Sequence, residues 1–217
     1  MTMSEPTTVW LLRHGETEWN VQRRLQGHND SPLTELGLAS ARAVARRLLN
    51  AEPNVIYTSD LGRAHRTAEE IAGATQVPVR TELRLREKNN GIFEGLTQEE
   101  IAAQFPDEYA RYKTRPVDYA PPGGESTLEL RDRACGTLAE LATLHPGGRI
   151  VVVTHGGIIS VFLRDLLGMP LNQQRRFEVD NCGLTTLTYA VDRPDPWRLV
   201  TLNEIAHLDE VTNVRAG

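Results

Sequence analysis

Val9-Trp10-Leu11-Leu12 is a short apolar run of strand type. The stretch Leu33–Leu49 spaces its apolar residues Leu36, Ala39, Ala43, Val44 and Leu48 as one face of a helix. Val55–Thr58 predicts a second strand, and Ser59 stands where it can cap a helix from Asp60 to about Ala74. Val77–Arg80 predicts a weaker third strand, which leads into an irregular segment, Leu85–Gly95. Thr97 with Glu100 and Ser126 with Glu129 have the capping-box spacing, and each predicts a helix start; the second helix should run to about Leu144. Ile150–Val153 reads as a buried strand, followed by a helix over Ile158–Leu167 that Gly168 and Pro170 close. Leu184–Tyr189 and Trp197–Leu202 alternate as strands. Strands alternating with helices predict a three-layer α/β/α domain around a mostly parallel sheet.

In such sheets ligands bind beyond the carboxyl ends of the strands. Arg13-His14-Gly15-Glu16-Thr17 follows the first strand, and Thr154-His155-Gly156-Gly157 closes the Ile150–Val153 strand. Both histidines are therefore expected where a site belongs.

The composition narrows the chemistry. At 217 residues, with 40% hydrophobic and 24% charged residues, the chain fits one globular domain. A net charge of −5 argues against nucleic acid as a partner. No apolar run approaches the roughly 18 residues of a membrane span, and no secretory signal is visible, so a cytoplasmic location is expected. Cys135 and Cys182 form no C-x-x-C pair and read as free thiols. His28, His65, His145 and His207 lack metal-ligand spacing, so no metal is expected. An arginine beside His14 repels a cation but suits a phosphoryl group, whose oxygens a guanidinium grips in a fork. Arg63 stands just past the second strand and can bring a second fork; Glu87 is an acid between basic neighbours. Gln26-Gly27 and Gly123-Gly124 offer either phosphate-facing backbone or simple turns.

The ordered set Arg13-His14-Gly15-Glu16-Thr17-Glu18-Trp19-Asn20, Gln26-Gly27, Ser59-Asp60-Leu61-Gly62-Arg63-Ala64, Leu85-Arg86-Glu87, Gly123-Gly124-Glu125-Ser126 and Thr154-His155-Gly156-Gly157 resembles the histidine phosphatase, or phosphoglycerate-mutase-like, superfamily. The resemblance runs from about Val9 to His207. It implies a phosphoglycerate-mutase-like fold over 8–207, with tails at 1–7 and 208–217 and a helical lid at about 97–122. It also implies that His14 is the nucleophile and forms a phosphohistidine. Arg13, Arg63 and His155 then stabilise the phosphoryl group, with Asn20 as a neutral donor and Glu87 as the acid and base. The phosphate-binding set is completed by Gln26, Gly27 and Gly156. The implied partner is a small soluble phosphate ester, with no cofactor and no metal, acted on by a monomer or homodimer.

Mutases of this family continue the glutamate motif as Glu-Arg-His-Tyr-Gly. Here it reads Glu87-Lys88-Asn89-Asn90-Gly91, and the segment between Gly95 and Pro122 shows no clear counterpart of the mutases' paired arginines. Hydrolysis is therefore the expected activity. A 2,3-bisphosphoglycerate-dependent mutase and an inactive phosphoester-binding module are the alternatives.

Overall fold

The protein is described by a computed structural model covering residues 5–213. In chain order the elements are β1 (Thr7–Arg13), α1 (Glu18–Val21), α2 (Glu35–Leu49), β2 (Val55–Thr58), α3 (Gly62–Thr75) and β3 (Val79–Thr81). These are followed by α4 (Gln98–Gln104), α5 (Pro106–Lys113), α6 (Thr127–Thr143), β4 (Arg149–Thr154), α7 (Gly156–Leu166), β5 (Leu184–Tyr189), β6 (Trp197–Glu204) and α8 (Asp209–Asn213). The six strands form one sheet in the order β3-β2-β4-β1-β5-β6. The four from β3 to β1 are mutually parallel, while β5 and β6 add an antiparallel edge. This is the mostly parallel α/β architecture that the apolar pattern predicts.

Strand side chains alternate between faces, and the two faces feed two cores. Val9 and Leu11 of β1, with Ile150 and Val152 of β4, pack against Leu130, Ala134 and Leu138 of α6 and against α7. On the other face Leu12, Val151 and Val153 pack against Ala41, Val44 and Leu48 of α2 and Ala64, Ala68 and Ile71 of α3.

Several local expectations are corrected. Ser59 caps nothing: α3 begins only at Gly62, after an N-cap, Leu61, that makes no side-chain bond. The third strand lies at Val79–Thr81, and α7 starts at Gly156 rather than Ile158. Thr7, expected in a tail, opens β1, and its hydroxyl bonds Ala142 O at 2.9 Å and His145 O at 2.7 Å. Within 208–217, Asp209–Asn213 is helical, and Leu208 packs on the α2–α3 core. Both expected capping boxes are present, and Thr17 with Asn20 forms a third.

The segment 97–122 holds the helical pair α4–α5. Phe105 and Tyr112 from this pair pack on the buried Phe93, with ring centroids 6.2 and 5.6 Å away. The two ends of the excursion are stitched together by Ile92 N–H donating to Pro122 O at 3.1 Å and Glu125 N–H donating to Asn89 O at 2.9 Å.

Candidate active site

The register of the two central strands pairs Arg13 with Thr154, so the next residue on each, His14 and His155, leave the sheet side by side. Their ring centroids are 5.2 Å apart. His14 is buried, and its Nδ1 lies 2.7 Å from Gly15 O. A carbonyl only accepts, so Nδ1 carries the proton and Nε2 keeps its lone pair. Burial, then the charges of Arg13 and Arg63, hold the His14 pKa well below the usual imidazole value. The ring is neutral and nucleophilic at physiological pH. The backbone behind it is pinned by Asn181 Nδ2, which donates to His14 O at 2.8 Å, and by Thr67 Oγ1, which accepts Gly15 N–H at 3.0 Å.

His155 is fully buried, and its Nε2 is 2.7 Å from Ser59 Oγ. When the serine hydroxyl donates there, the proton resides on Nδ1, which has no partner. Burial, Arg63 and His14 push this pKa well below the ordinary value too. His155 thus enters the site as a neutral N–H donor, not as a standing cation.

The two arginines are held from behind. Arg63 donates through Nη1 to Asn29 O at 2.8 Å and Asp30 Oδ1 at 3.0 Å, and through Nη2 to Gly27 O at 2.8 Å. Arg13 donates through Nη1 to Val179 O at 2.7 Å. In both, the buried Nε finds no acceptor. Buried donors are nearly always satisfied, because leaving one unmet costs about 1–3 kcal/mol. Arg13 Nε, Arg63 Nε and His155 Nδ1 are three such donors around one nucleophile, a pattern suited to an oxyanion. The N-terminus of α7, whose N-cap His155 makes no side-chain capping bond, adds its dipole. Gly156 opens α7 against the Arg13 guanidinium, and a Cβ there would make only ordinary contact with Arg13 Nε, at 3.4 Å.

Glu87 reaches the same place from the segment after β3. Its Oε1 accepts Lys88 N–H at 2.7 Å, and its Oε2 accepts Gly157 N–H at 3.0 Å. A side chain at Gly157 would overlap the carboxylate, with its Cβ 2.1 Å from Oε1. The segment itself is held by Thr154 Oγ1 donating to Leu85 O at 2.7 Å, by His28 Nε2 at 3.0 Å from Glu87 O, and by Arg133 of α6. Arg133 Nη1 donates to Arg84 O and Arg86 O, both at 2.7 Å, while Nη2 donates to Glu87 O at 3.2 Å and pairs with Glu125.

Arg13, His14, Arg63, Glu87, His155 and Gly156 are brought together. Asn20 Oδ1 is spent on Thr17 N–H and the Thr17 hydroxyl, and only its Nδ2 remains as a donor. Gln26 Nε2 donates one of its two amide protons to Thr17 Oγ1 at 2.7 Å, which braces the Thr17 turn and leaves the second as a donor. Gly27, at a φ of 55°, serves through the carbonyl that anchors Arg63. Ser59, His28 and Arg133 were not anticipated as site residues; their partners lie 96, 59 and 46 positions away along the chain. Among the described residues no cluster of three metal-ligating side chains is present.

Comparison with known proteins agrees with this geometry. Residues 9–205 match the family model described as histidine phosphatase superfamily (branch 1). A Proteus mirabilis protein named "Probable phosphoglycerate mutase GpmB" is 39% identical over 210 residues, covering 94% of this chain and 95% of that one. The solved structure of YhfR from Bacillus stearothermophilus superposes with a TM-score of 0.84 at 32% identity, covering 94% of this chain and all of the other. A mycobacterial glucosyl-3-phosphoglycerate phosphatase, solved with VO3, superposes with a TM-score of 0.78 at 34% identity over 91% of this chain and 99% of its own.

Proposed function

The chain belongs to the histidine phosphatase superfamily, and from that premise we propose that it hydrolyses phosphomonoesters through a phosphohistidine on His14. The observation that carries the reading is the neutral His14, whose Nδ1 proton is held by Gly15 O, beside three buried donors without partners. Nε2 attacks phosphorus and forms the N–P bond as the P–O bond to the alcohol breaks. Arg13, Arg63 and His155 meet the charge spread over the equatorial oxygens. Glu87, as the acid, protonates the departing alkoxide; as carboxylate it then takes a proton from the water that attacks the phosphohistidine. Inorganic phosphate leaves and His14 is regenerated. We place this activity in one domain that extends the expected 8–207 to take in Thr7 and Leu208, with 97–122 as its lid. We propose that it is a cytoplasmic monomer or homodimer, and its two unpaired cysteines suit a reducing compartment. Among the described residues no helix is long and apolar enough to cross a membrane.

The names of its relatives favour transfer as a second reading. Against it stands Asn90, where mutases carry Tyr: it is buried, donates its Nδ2 to Lys88 O at 3.2 Å and gives its N–H to Glu94. A mutase must keep phosphoglycerate in place and water out while the phosphohistidine waits, and Asn90 contributes to neither. The decisive experiment runs steady phosphate release and bisphosphoglycerate-primed phosphoglycerate isomerisation on one preparation. It adds trapping with labelled substrate under a quench that spares phosphohistidine. Phosphate release with one label on His14 is expected. Label on Ser or Asp, or isomerisation outpacing release on every ester, would overturn the reading.

A further inference from the structure

Glu87 protonates the leaving oxygen, so whatever that oxygen is attached to extends from the Glu87 side of the site. A cleft of about 480 Å³ opens there, beginning at Lys88 and Gly157, whose backbone N–H groups hold the two Glu87 oxygens. It runs between the lid and α7. Lys88, Lys113, Arg115 and Arg164 line it together with Tyr112 and Ser160, and no Asp or Glu does.

These cations are unusual for this molecule. Most of its arginines are tied to carboxylates, as in Arg24–Glu100, Arg47–Glu204, Arg84–Glu140 and Arg133–Glu125. Lys88 and Lys113 are the only lysines in the 217-residue chain, and both face this one cleft. Among the described residues none of the four cations has a salt-bridge partner. Lys88 donates only to Thr127 Oγ1 at 3.3 Å, and Lys113 lies over the Tyr109 ring at 5.6 Å. Arg164 is 7% exposed and spends Nη2 on Pro170 O and Gln173 O, while its buried Nε has no partner. Burial lowers the pKa of Lys88 and, with the nearby charge of Arg115, that of Arg164. The carboxylates of Glu125, Glu87 and Glu129 offset part of the Lys88 charge from a distance, but none pairs with any of the four cations, so a bound anion relieves the repulsion among them.

We infer that the alcohol part of the substrate carries a second anionic group, carboxylate or phosphate, which Lys88, Lys113, Arg115 and Arg164 recognise. The inference rests on the phosphatase reading for where the leaving group lies, but the cleft's taste for an anion stands on its own charges. Lys113 and Arg115 belong to the lid and Arg164 to α7, so an anionic leaving group also bridges the lid to the body. A neutral alcohol of equal size leaves the four charges unmet, and it is selected against.

Two measurements separate the cleft from the reaction. Phosphate release is compared within matched pairs: 3-phosphoglycerate against glycerol 3-phosphate for a carboxylate, fructose 1,6-bisphosphate against fructose 6-phosphate for a phosphate. A preference of at least about tenfold in kcat/KM is expected in one pair, and the pair identifies the anion. In Lys113→Gln and Arg115→Asn the ratio should fall towards one. Both residues are exposed, and Asn suits the positive φ of 54° at Arg115. Separately, an amine-reactive reagent with peptide mapping should label Lys88 and Lys113, and the preferred ester should protect both where its uncharged counterpart does not. Hydrolysis without preference in either pair, or labelling that no anionic ester slows, overturns the cleft assignment and leaves the phosphatase reading intact. Selective protection without any hydrolysis supports the cleft and overturns the phosphatase reading.

Discussion

Replacing Arg133 with Met keeps most of the side-chain volume and removes the group that gathers the Glu87 segment. The guanidinium spans the carbonyls of Arg84, Arg86 and Glu87 and pairs with Glu125. A hydrogen bond to a charged group contributes about 1.5–3 kcal/mol. Arg133 keeps 21% of its side chain exposed, so water takes up part of what is lost, and the lower end applies to the two 2.7 Å bonds. The expected destabilisation is about 3 kcal/mol, or roughly 6–12 °C in melting temperature for a chain of this size. The effect on chemistry is separate. The bonds that fix Glu87 are to backbone, so without them the carboxyl moves with its loop. A misplacement of about 1 Å costs on the order of 10²-fold. kcat for an alkyl phosphate should therefore fall by about 10–100-fold, and kcat for p-nitrophenyl phosphate by much less, because that leaving group needs no acid. Arg133→Lys keeps the charge but cannot span the three carbonyls, and it should lie between. Urea unfolding with both rate assays checks this. Unchanged stability would refute the bond accounting, and equal losses on the two esters would refute the link to Glu87.

Glu87→Gln should lose about 10²–10⁴-fold on alkyl esters and much less on p-nitrophenyl phosphate, as steady-state kinetics on the pair will show. Ser59→Ala leaves His155 Nε2 buried without its 2.7 Å partner; a stability loss of about 1–3 kcal/mol and a roughly tenfold drop in kcat are expected, read by denaturant melts and phosphate release. Stability should also fall below pH 6.5. His14 and His155 stay neutral when folded, whereas the unfolded chain protonates both near pH 6.5, so acid favours unfolding. Two such groups cost about 2–3 kcal/mol between pH 7.5 and 5.5, and urea midpoints that stay level across that range would contradict the assignment.

What the sequence made legible was local. The apolar runs at Val9–Leu12 and Ile150–Val153, each followed by a His-Gly pair, announced both the central strands and the two imidazoles at their ends. The capping boxes at Thr97 and Ser126 announced α4 and α6 within a residue. Ser59 was misread because a serine before a helical pattern is an ordinary cap signal, and only the fold brings His155 within reach of its hydroxyl. Arg133 sits on α6 beside the core stripe of Leu130, Ala134 and Leu138, where nothing in the helical spacing tells a solvated charge from one turned onto a loop. The cationic cleft escaped notice for the same reason: Lys88, Lys113 and Arg164 come from three separate parts of the chain.

The helical segment 97–122 stands on a stitched base. Asn89 and Glu125 close the excursion with a backbone hydrogen bond, as do Ile92 and Pro122, so the chain leaves the body and re-enters it at almost the same point. The Ser126–Glu129 box then starts α6 afresh, whatever precedes it. A loop whose ends already meet can be lengthened at little entropic cost, each doubling adding only about 0.6 kcal/mol. His14, Arg63 and His155 lie outside the excursion, and its first stretch braces the Arg63 anchor, where Glu94 accepts the N–H groups of His28 and Asn29. The part beyond Glu94 is in effect a cassette: grafting another length or charge pattern between Thr97 and Pro122 changes which esters are admitted without rebuilding the machinery that cleaves them.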